Sequence, residues 1–260
     1  MEHQMILHKH KKLFTDAIRK TAAELVLPEI FVEKDYWVTF MLKSLFQSEA
    51  GDKIVFKGGT ALSKCHGLIE RFSEDIDLAV VSQEGESATT IAKRIRAISK
   101  EAAKILPEVE IKGLTSKHGN LRKTAHQYKK EFKGSFGQVR DILIVEISAL
   151  GNFEPFVPLP VDTFIRKMIL GTDQKPMIRE YELEPFTMNV LHVNRTLCEK
   201  IMSLVRFSFT DQPLINLKAK IRHTYDLHKL LAEEEVRSFF NSSGFDDLIN
   251  KVGSDDVASF

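Results

Sequence analysis

Cysteine is scarce: the 260-residue chain has two, Cys65 and Cys198. They stand far apart, each among apolar residues at helical spacing. No disulfide framework and no paired-thiol zinc site is indicated, and buried free thiols are expected. No apolar run approaches the ~20 residues that cross a bilayer, and the N-terminus lacks the apolar core of a signal peptide. The expectation is a soluble cytoplasmic protein with no membrane contact. A net charge of only +1 means that no global field advertises a polyanionic partner. Neither an internal repeat nor a low-complexity tract is present. What remains, 43% hydrophobic and 28% charged residues, is ordinary for a globular chain with an ample core.

Charge is less even along the chain than in total. Lys112 to Arg140 holds eight Lys or Arg residues and one acid, Glu131, while Glu233 to Phe260 leans acidic. The asymmetry points either to an anionic ligand over the middle of the chain or to a solvated basic loop or strand edge. Helical spacing of apolar residues predicts helices over Leu7–Val26, Phe31–Gln47, Ser87–Leu106, Thr196–Phe209, Ile221–Leu231 and Val236–Phe240. A weaker helical segment follows Gly244. Strands are predicted over Lys53–Phe56, Asp75–Val81, Val109–Leu114, Lys123–Phe132, Val139–Ala149 and Phe186–Val193. Thr60 is read as the N-cap of a helix reaching about Arg71. The proline-rich passage Pro155–Pro160 reads as a boundary between residues 1–155 and a mainly helical lobe, 156–260.

The most informative stretch is Phe56-Lys-Gly-Gly-Thr-Ala-Leu62, followed by Arg71-Phe-Ser-Glu-Asp-Ile-Asp-Leu78. On a strand, residues i and i+2 share a face, so Asp75 and Asp77 stand side by side and can share a hard divalent cation such as Mg²⁺. The Gly58-Gly59-Thr60 turn opens a helix, and free backbone N–H groups at a helix start hold phosphate. Each half is weak evidence alone. The order strand, glycine turn, helix, acidic strand brings the two halves to one sheet edge.

With those residues in place, Phe56–Leu78 resembles the signature of polymerase-β-like nucleotidyltransferases, and its particular form resembles the AbiEii-type (MenT-like) toxin family. Glu33-Lys-Asp-Tyr-Trp-Val-Thr39, Thr196-Leu-Cys-Glu-Lys-Ile-Met-Ser-Leu204 and Arg222-His-Thr-Tyr-Asp-Leu227 resemble further motifs of that family in the same order. The resemblance covers roughly residues 30–231. It implies an α+β fold, a mixed sheet flanked by helices with a C-terminal helical lobe. It implies that Lys57, Gly58, Gly59 and Thr60 lie at the triphosphate, that Asp75 and Asp77 bind Mg²⁺ (Mn²⁺ being the alternative), and that Lys200 neutralises phosphate charge. Asp226 would sit near Lys200, with Arg222 and His223 toward phosphate or acceptor. The superfamily's third carboxylate is assigned to Glu146, a charge on the face of Ile142, Ile144 and Ser148 that is costly unless paired or metal-bound. Asp141, on the other face, is explained by solvent.

Plainer explanations stand beside several of these. Arg222 and Asp226 are also a simple i,i+4 surface pair, and Lys200 an exposed helix residue. Glu33, Lys34 and Asp35 are also the polar face of an amphipathic helix, with Lys34 and Asp35 second-rank candidates. The implied reaction moves a nucleoside monophosphate from an NTP to an acceptor hydroxyl. The resemblance points to the tRNA 3′ end, in a toxin with a cognate antitoxin. Tyr128, Phe132 and Phe136, interleaved with the Lys112–Arg140 cations, are read as stacking platforms for RNA. The rivals are a nucleotidyltransferase acting on a protein or small molecule, and a non-catalytic nucleotide- or RNA-binding module.

Overall fold

The computed structural model describes residues 5–49, 51–81, 85–118, 121–134, 140–149 and 155–259. Helices α1 (Lys11–Leu25) and α2 (Glu29–Phe46) lead into β1 (Ile54–Lys57), α3 (Gly58–Lys64) and β2 (Ile76–Val80). After α4 (Ala88–Ile105) come β3 (Glu108–Val109), β4 (Ser116–His118), β5 (Leu121–His126), β6 (Leu143–Ser148) and β7 (Phe156–Val161). Then follow α5 (Phe164–Leu170), α6 (Pro176–Glu180) and β8 (Phe186–Leu191). The chain finishes with α7 (Val193–Ser208), α8 (Pro213–Ala219), α9 (Ile221–Ala232), α10 (Glu234–Phe240) and α11 (Ser243–Ser259).

Among the described residues the strands form one mixed sheet in the order β3-β5-β6-β2-β1-β8-β7, with β4 paired to β5. β1 runs antiparallel to β2 and parallel to β8, and β2 runs parallel to β6. This is the α+β architecture that the sequence implies. Period-two alternation gives the central strands two different faces. Phe56, Ile76, Leu78, Val145, Ile147 and Val190 join Phe14, Ile18, Trp37, Met41, Ile95 and Ile98 of α1, α2 and α4 in the main core. At ~1.5–3 kcal/mol for each large side chain buried, this layer anchors the fold. The other face carries two small apolar clusters, Val55–Ala79–Leu191 and Ala125–Ile142–Ile144, and between them the charged residues of the site. Leu62 and Ile69 pack with Leu197, Leu230 and Val236, which seats the C-terminal helices against the α3 side.

Several elements differ from the sequence reading. The proline-rich passage is strand β7, and since β7 pairs with β8 and β8 with β1, residues 156–191 complete the sheet of the 1–155 core. Pro158 and Pro160 have no N–H to offer a ladder, which confines them to an edge strand, and β7 is one. The mainly helical part begins at α7. The helix α3 starts at Gly58 and ends at Lys64, so Lys57, not Thr60, is its N-cap and the chain to Asp75 is irregular. β5 stops at His126, and the strand expected over Val139–Ala149 is β6, with Val139 outside the described residues. Helices α5, α6 and α8 are short and carry no apolar repeat long enough to announce them.

Candidate active site

The strand register sets four charged side chains in one row across the sheet. Lys57 of β1 stands opposite Asp77 of β2, Asp77 opposite Glu146 of β6, and Glu146 opposite Lys123 of β5. The row reads plus, minus, minus, plus. Like charges directly opposite one another on neighbouring strands destabilise a sheet, so Asp77 beside Glu146 is a cost the fold carries. The surrounding protein, then Glu146 and Asp75, push the Asp77 carboxyl up to about 7, while Lys57 and Lys123 pull it back. Asp75 lies just before β2, two positions from Asp77 and on the same side. Its Oδ1 is buried without a hydrogen-bond partner, and Arg140 lies 3.6 Å from its Oδ2. Glu146 is held by Lys123 at 2.9 Å. Burial opposes the Lys123 ammonium, yet the attraction and hydrogen bond of Glu146 raise its pKa above the ordinary value.

The glycine turn meets these carboxylates closely. Gly58 has φ +77°, and a Cβ built there would lie 2.1 Å from Asp77 Oδ2. Only glycine takes that backbone without strain and leaves that space. A Cβ on Gly59 would lie 2.6 Å from the Arg71 guanidinium and 3.0 Å from Ser73 Oγ. Thr60 is fully buried; its hydroxyl donates to the Asp75 carbonyl (2.6 Å) and lies 3.0 Å from Ser73 Oγ. It therefore ties the turn to the acidic strand through its own side chain. Lys57 reaches Glu199 of α7 at 3.0 Å.

The helical side contributes a second charged centre. Asp226 is completely buried and accepts two hydrogen bonds from Arg71 (2.8 Å each) and one from Lys200 Nζ (2.7 Å). Burial raises its pKa, but the Arg71 bonds and Lys200 outweigh it and hold the carboxyl below its ordinary value. Neither surface explanation survives: Lys200 is 7% exposed, and Asp226 pairs with Arg71 and Lys200. Arg71 is the residue that sequence reasoning missed. It joins Asp226, 155 positions away, to the Gly59 turn, and only its place in the Arg-Phe-Ser-Glu-Asp-Ile-Asp run could have flagged it. His223 is half-buried, and its pKa is lowered to about 4 by burial and by Lys200 and Lys220. It is neutral at pH 7, and its Nδ1 has no partner. Burial raises the Glu74 pKa above its ordinary value, and Arg222 lies near enough to be one of the groups that oppose the rise.

Two expectations change. Glu33, Lys34 and Asp35 are not a polar helix face, being at most 4% exposed. Tyr128 is buried against Trp37, and Phe132 packs on the core beneath Arg19, so neither presents a free ring. Phe136 lies outside the described residues. The Lys112–Arg140 cations are largely neutralised within the fold: Lys117 by Glu108, Lys123 by Glu146, Lys129 by Glu131 and Lys130 by Asp141. No helix among the described residues is long and apolar enough to cross a membrane.

The donor set suits a hard divalent cation. Three carboxylates lie on one face, two of them repelling each other and one with an unpartnered buried oxygen, which is a charge pattern that Mg²⁺ or Mn²⁺ relieves. Among the described residues no three such side chains are already closed around a common point, since Arg140 and Lys123 hold the outer two.

No protein with a curated description matches the chain. Among solved structures, MenT4, a nucleotidyltransferase toxin from Mycobacterium tuberculosis H37Rv, is similar at 20% identity and a TM-score of 0.42. The match covers 68% of this chain and 53% of that one, so the chain spans about half the length of that protein. A family described as the nucleotidyl transferase AbiEii toxin of type IV toxin–antitoxin systems matches residues 40–256, which takes in the glycine turn, the carboxylate row and Asp226 and leaves out Glu33–Lys34–Asp35. The chain belongs to the AbiEii nucleotidyl transferase toxin family.

Proposed function

We propose that the chain transfers a nucleoside monophosphate from an NTP to an acceptor hydroxyl, releasing pyrophosphate, and that the acceptor is the 3′ end of a tRNA. One observation carries the chemistry: the Lys57–Asp77–Glu146–Lys123 row lies directly against the Gly58 turn. Asp75, Asp77 and Glu146 are the residues to hold Mg²⁺, with Mn²⁺ as the alternative. Bound there, the cation would supply charge neutralisation for the phosphates and the attacking hydroxyl. The chain's own residues position the substrates. Gly58 and Gly59 let a triphosphate approach the backbone, with Lys57 beside it. Thr60 keeps the turn in register with Asp75. Arg71, Asp226 and Lys200 fix the helical wall of the cleft, and Arg222 and neutral His223 face phosphate or acceptor from it.

An RNA acceptor is supported by the rim of α7, α8 and α9 rather than by the Lys112–Arg140 stretch. Lys220 lies close enough to Glu146 and Asp77 for both to act on its pKa. The Phe207 ring lies 4.7 Å from the Lys220 ammonium and 5.2 Å from the Arg206 guanidinium, and Phe209 is 86% exposed. Cations gathered on a ring, one of them near the carboxylate row, suit a single-stranded RNA end. The biological reading is that of a toxin restrained by a cognate antitoxin, and it rests on the family. The deciding experiment incubates the protein with each α-labelled NTP, Mg²⁺ and total tRNA. Label in tRNA supports the reading. Label in protein redirects it to a protein acceptor, and no label with retained NTP binding makes the chain a binding module.

A further inference from the structure

Three consecutive charged residues of α2, Glu33, Lys34 and Asp35, are 0%, 0% and 4% exposed. At 100° per residue they leave the helix in three directions, and each ends on a different segment of the fold. Glu33 accepts the N–H groups of Glu131 (2.7 Å) and Phe132 (3.3 Å), beyond β5. Asp35 pairs with Lys64, the last residue of the glycine-turn helix α3, and accepts the Phe164 N–H at 2.9 Å. Lys34 donates to the Arg140 carbonyl and lies 3.8 Å from the Glu74 carboxylate. Glu74 in turn accepts the Arg140 N–H at 3.2 Å. Lys34, Glu74 and the Arg140 main chain thus form a closed three-cornered clip.

The strand's alternation explains what the clip does. Glu74 shares the parity of Ile76 and Leu78, which face the helix layer, while Asp75 and Asp77 face the cleft. Lys34 therefore holds the acidic strand from beneath, one residue before its first cleft-facing carboxylate. It also fixes the backbone of Arg140, whose guanidinium lies 3.6 Å from Asp75. Filling this volume needs no charge, because an apolar side chain would fill it without desolvating an ammonium. We propose that Lys34 is a positioning residue for the reaction: it clamps the segments leading into β2 and β6 so that Asp75 and Arg140 are set relative to the glycine turn, which Asp35 fixes from the same helix. The proposal rests on the nucleotidyl-transfer reading.

The test compares wild type with Lys34→Met and with the double variant Lys34→Met/Glu74→Gln, which leaves no buried charge unpaired. Amide hydrogen exchange is followed by mass spectrometry, and kcat and KM are measured for NTP transfer. The expected result is exchange about fivefold faster in residues 72–77 and 140–145, with α4 unchanged. kcat falls by about tenfold to a hundredfold while KM for the triphosphate stays within about threefold. Where Lys34→Met fails to fold, the double variant takes the same measurements. A folded variant with wild-type exchange in those segments, or with wild-type kcat, overturns the proposal. Wild-type protein that transfers no nucleotide sinks the functional reading instead, and the exchange data then decide the clamp by themselves.

Discussion

Asp77→Asn should make the metal-free protein more stable at neutral pH and above. Folding raises the Asp77 carboxyl from 3.8 to about 7. Below about pH 4 the group is protonated in both the folded and the unfolded chain, so it costs nothing. Between pH 4 and 7 folding must take up a proton, and the cost grows with pH. Above 7 the cost is complete, because the folded protein then holds a charge that its neighbours oppose. Each pKa unit is worth about 1.4 kcal/mol, which sets a ceiling of about 4 kcal/mol. Asp77 retains some solvent contact, so about 1–3 kcal/mol is the expected gain from neutralising it. At about 2–4 °C per kcal/mol for a chain of this size, Tm at pH 8 should rise by about 2–12 °C. Thermal melts from pH 4 to 8 in a chelating buffer measure it. The gain should vanish near pH 4. Added Mg²⁺ should raise the wild-type Tm and leave the variant's unchanged, because a ligand stabilises only what binds it. A variant less stable than wild type at pH 8, or a difference independent of pH, would refute the claim that like charges crowd this site.

Other outcomes follow from the same geometry. Gly58→Ala places a Cβ 2.1 Å from Asp77 Oδ2 in a left-handed backbone, so single-turnover transfer should fall by more than about tenfold, whereas Gly59→Ala adds no left-handed strain, only a push on the Arg71 guanidinium, and should fall less. Asp226→Asn leaves Arg71 and Lys200 without their common counter-charge. Urea unfolding should show a loss of about 3–5 kcal/mol, and a loss under 1 kcal/mol would contradict the buried network. Phe209→Ala should raise KM for tRNA without changing NTP binding. Transfer to tRNA should weaken steeply as salt rises, and an unchanged tRNA KM would move the acceptor surface away from the α7–α8–α9 rim.

What the sequence made legible was local. The glycine turn, Asp75 and Asp77 sit within 20 positions of each other, so strand periodicity alone puts them at one edge. Glu146 was found from the cost of a charge among isoleucines on a strand. Residues that act across long separations were less visible. Nothing near Arg71 names Asp226 as its partner, and nothing near Lys34 names Arg140, because both pairings are made by packing. Strand β7 was hidden by its prolines, which suit an edge strand as well as a linker. The basic stretch misled because cations adjacent in sequence find acids on neighbouring strands, and Tyr128 points inward.

The cation position is the most direct measurement. Crystals grown with Mn²⁺ and a non-hydrolysable triphosphate should give an anomalous peak about 2–2.3 Å from the carboxylate oxygens of Asp75 and Asp77. The phosphates should lie against Gly58 and Gly59. Mn²⁺ bound elsewhere, or triphosphate seated away from the glycine turn with both aspartates unliganded, would contradict the account.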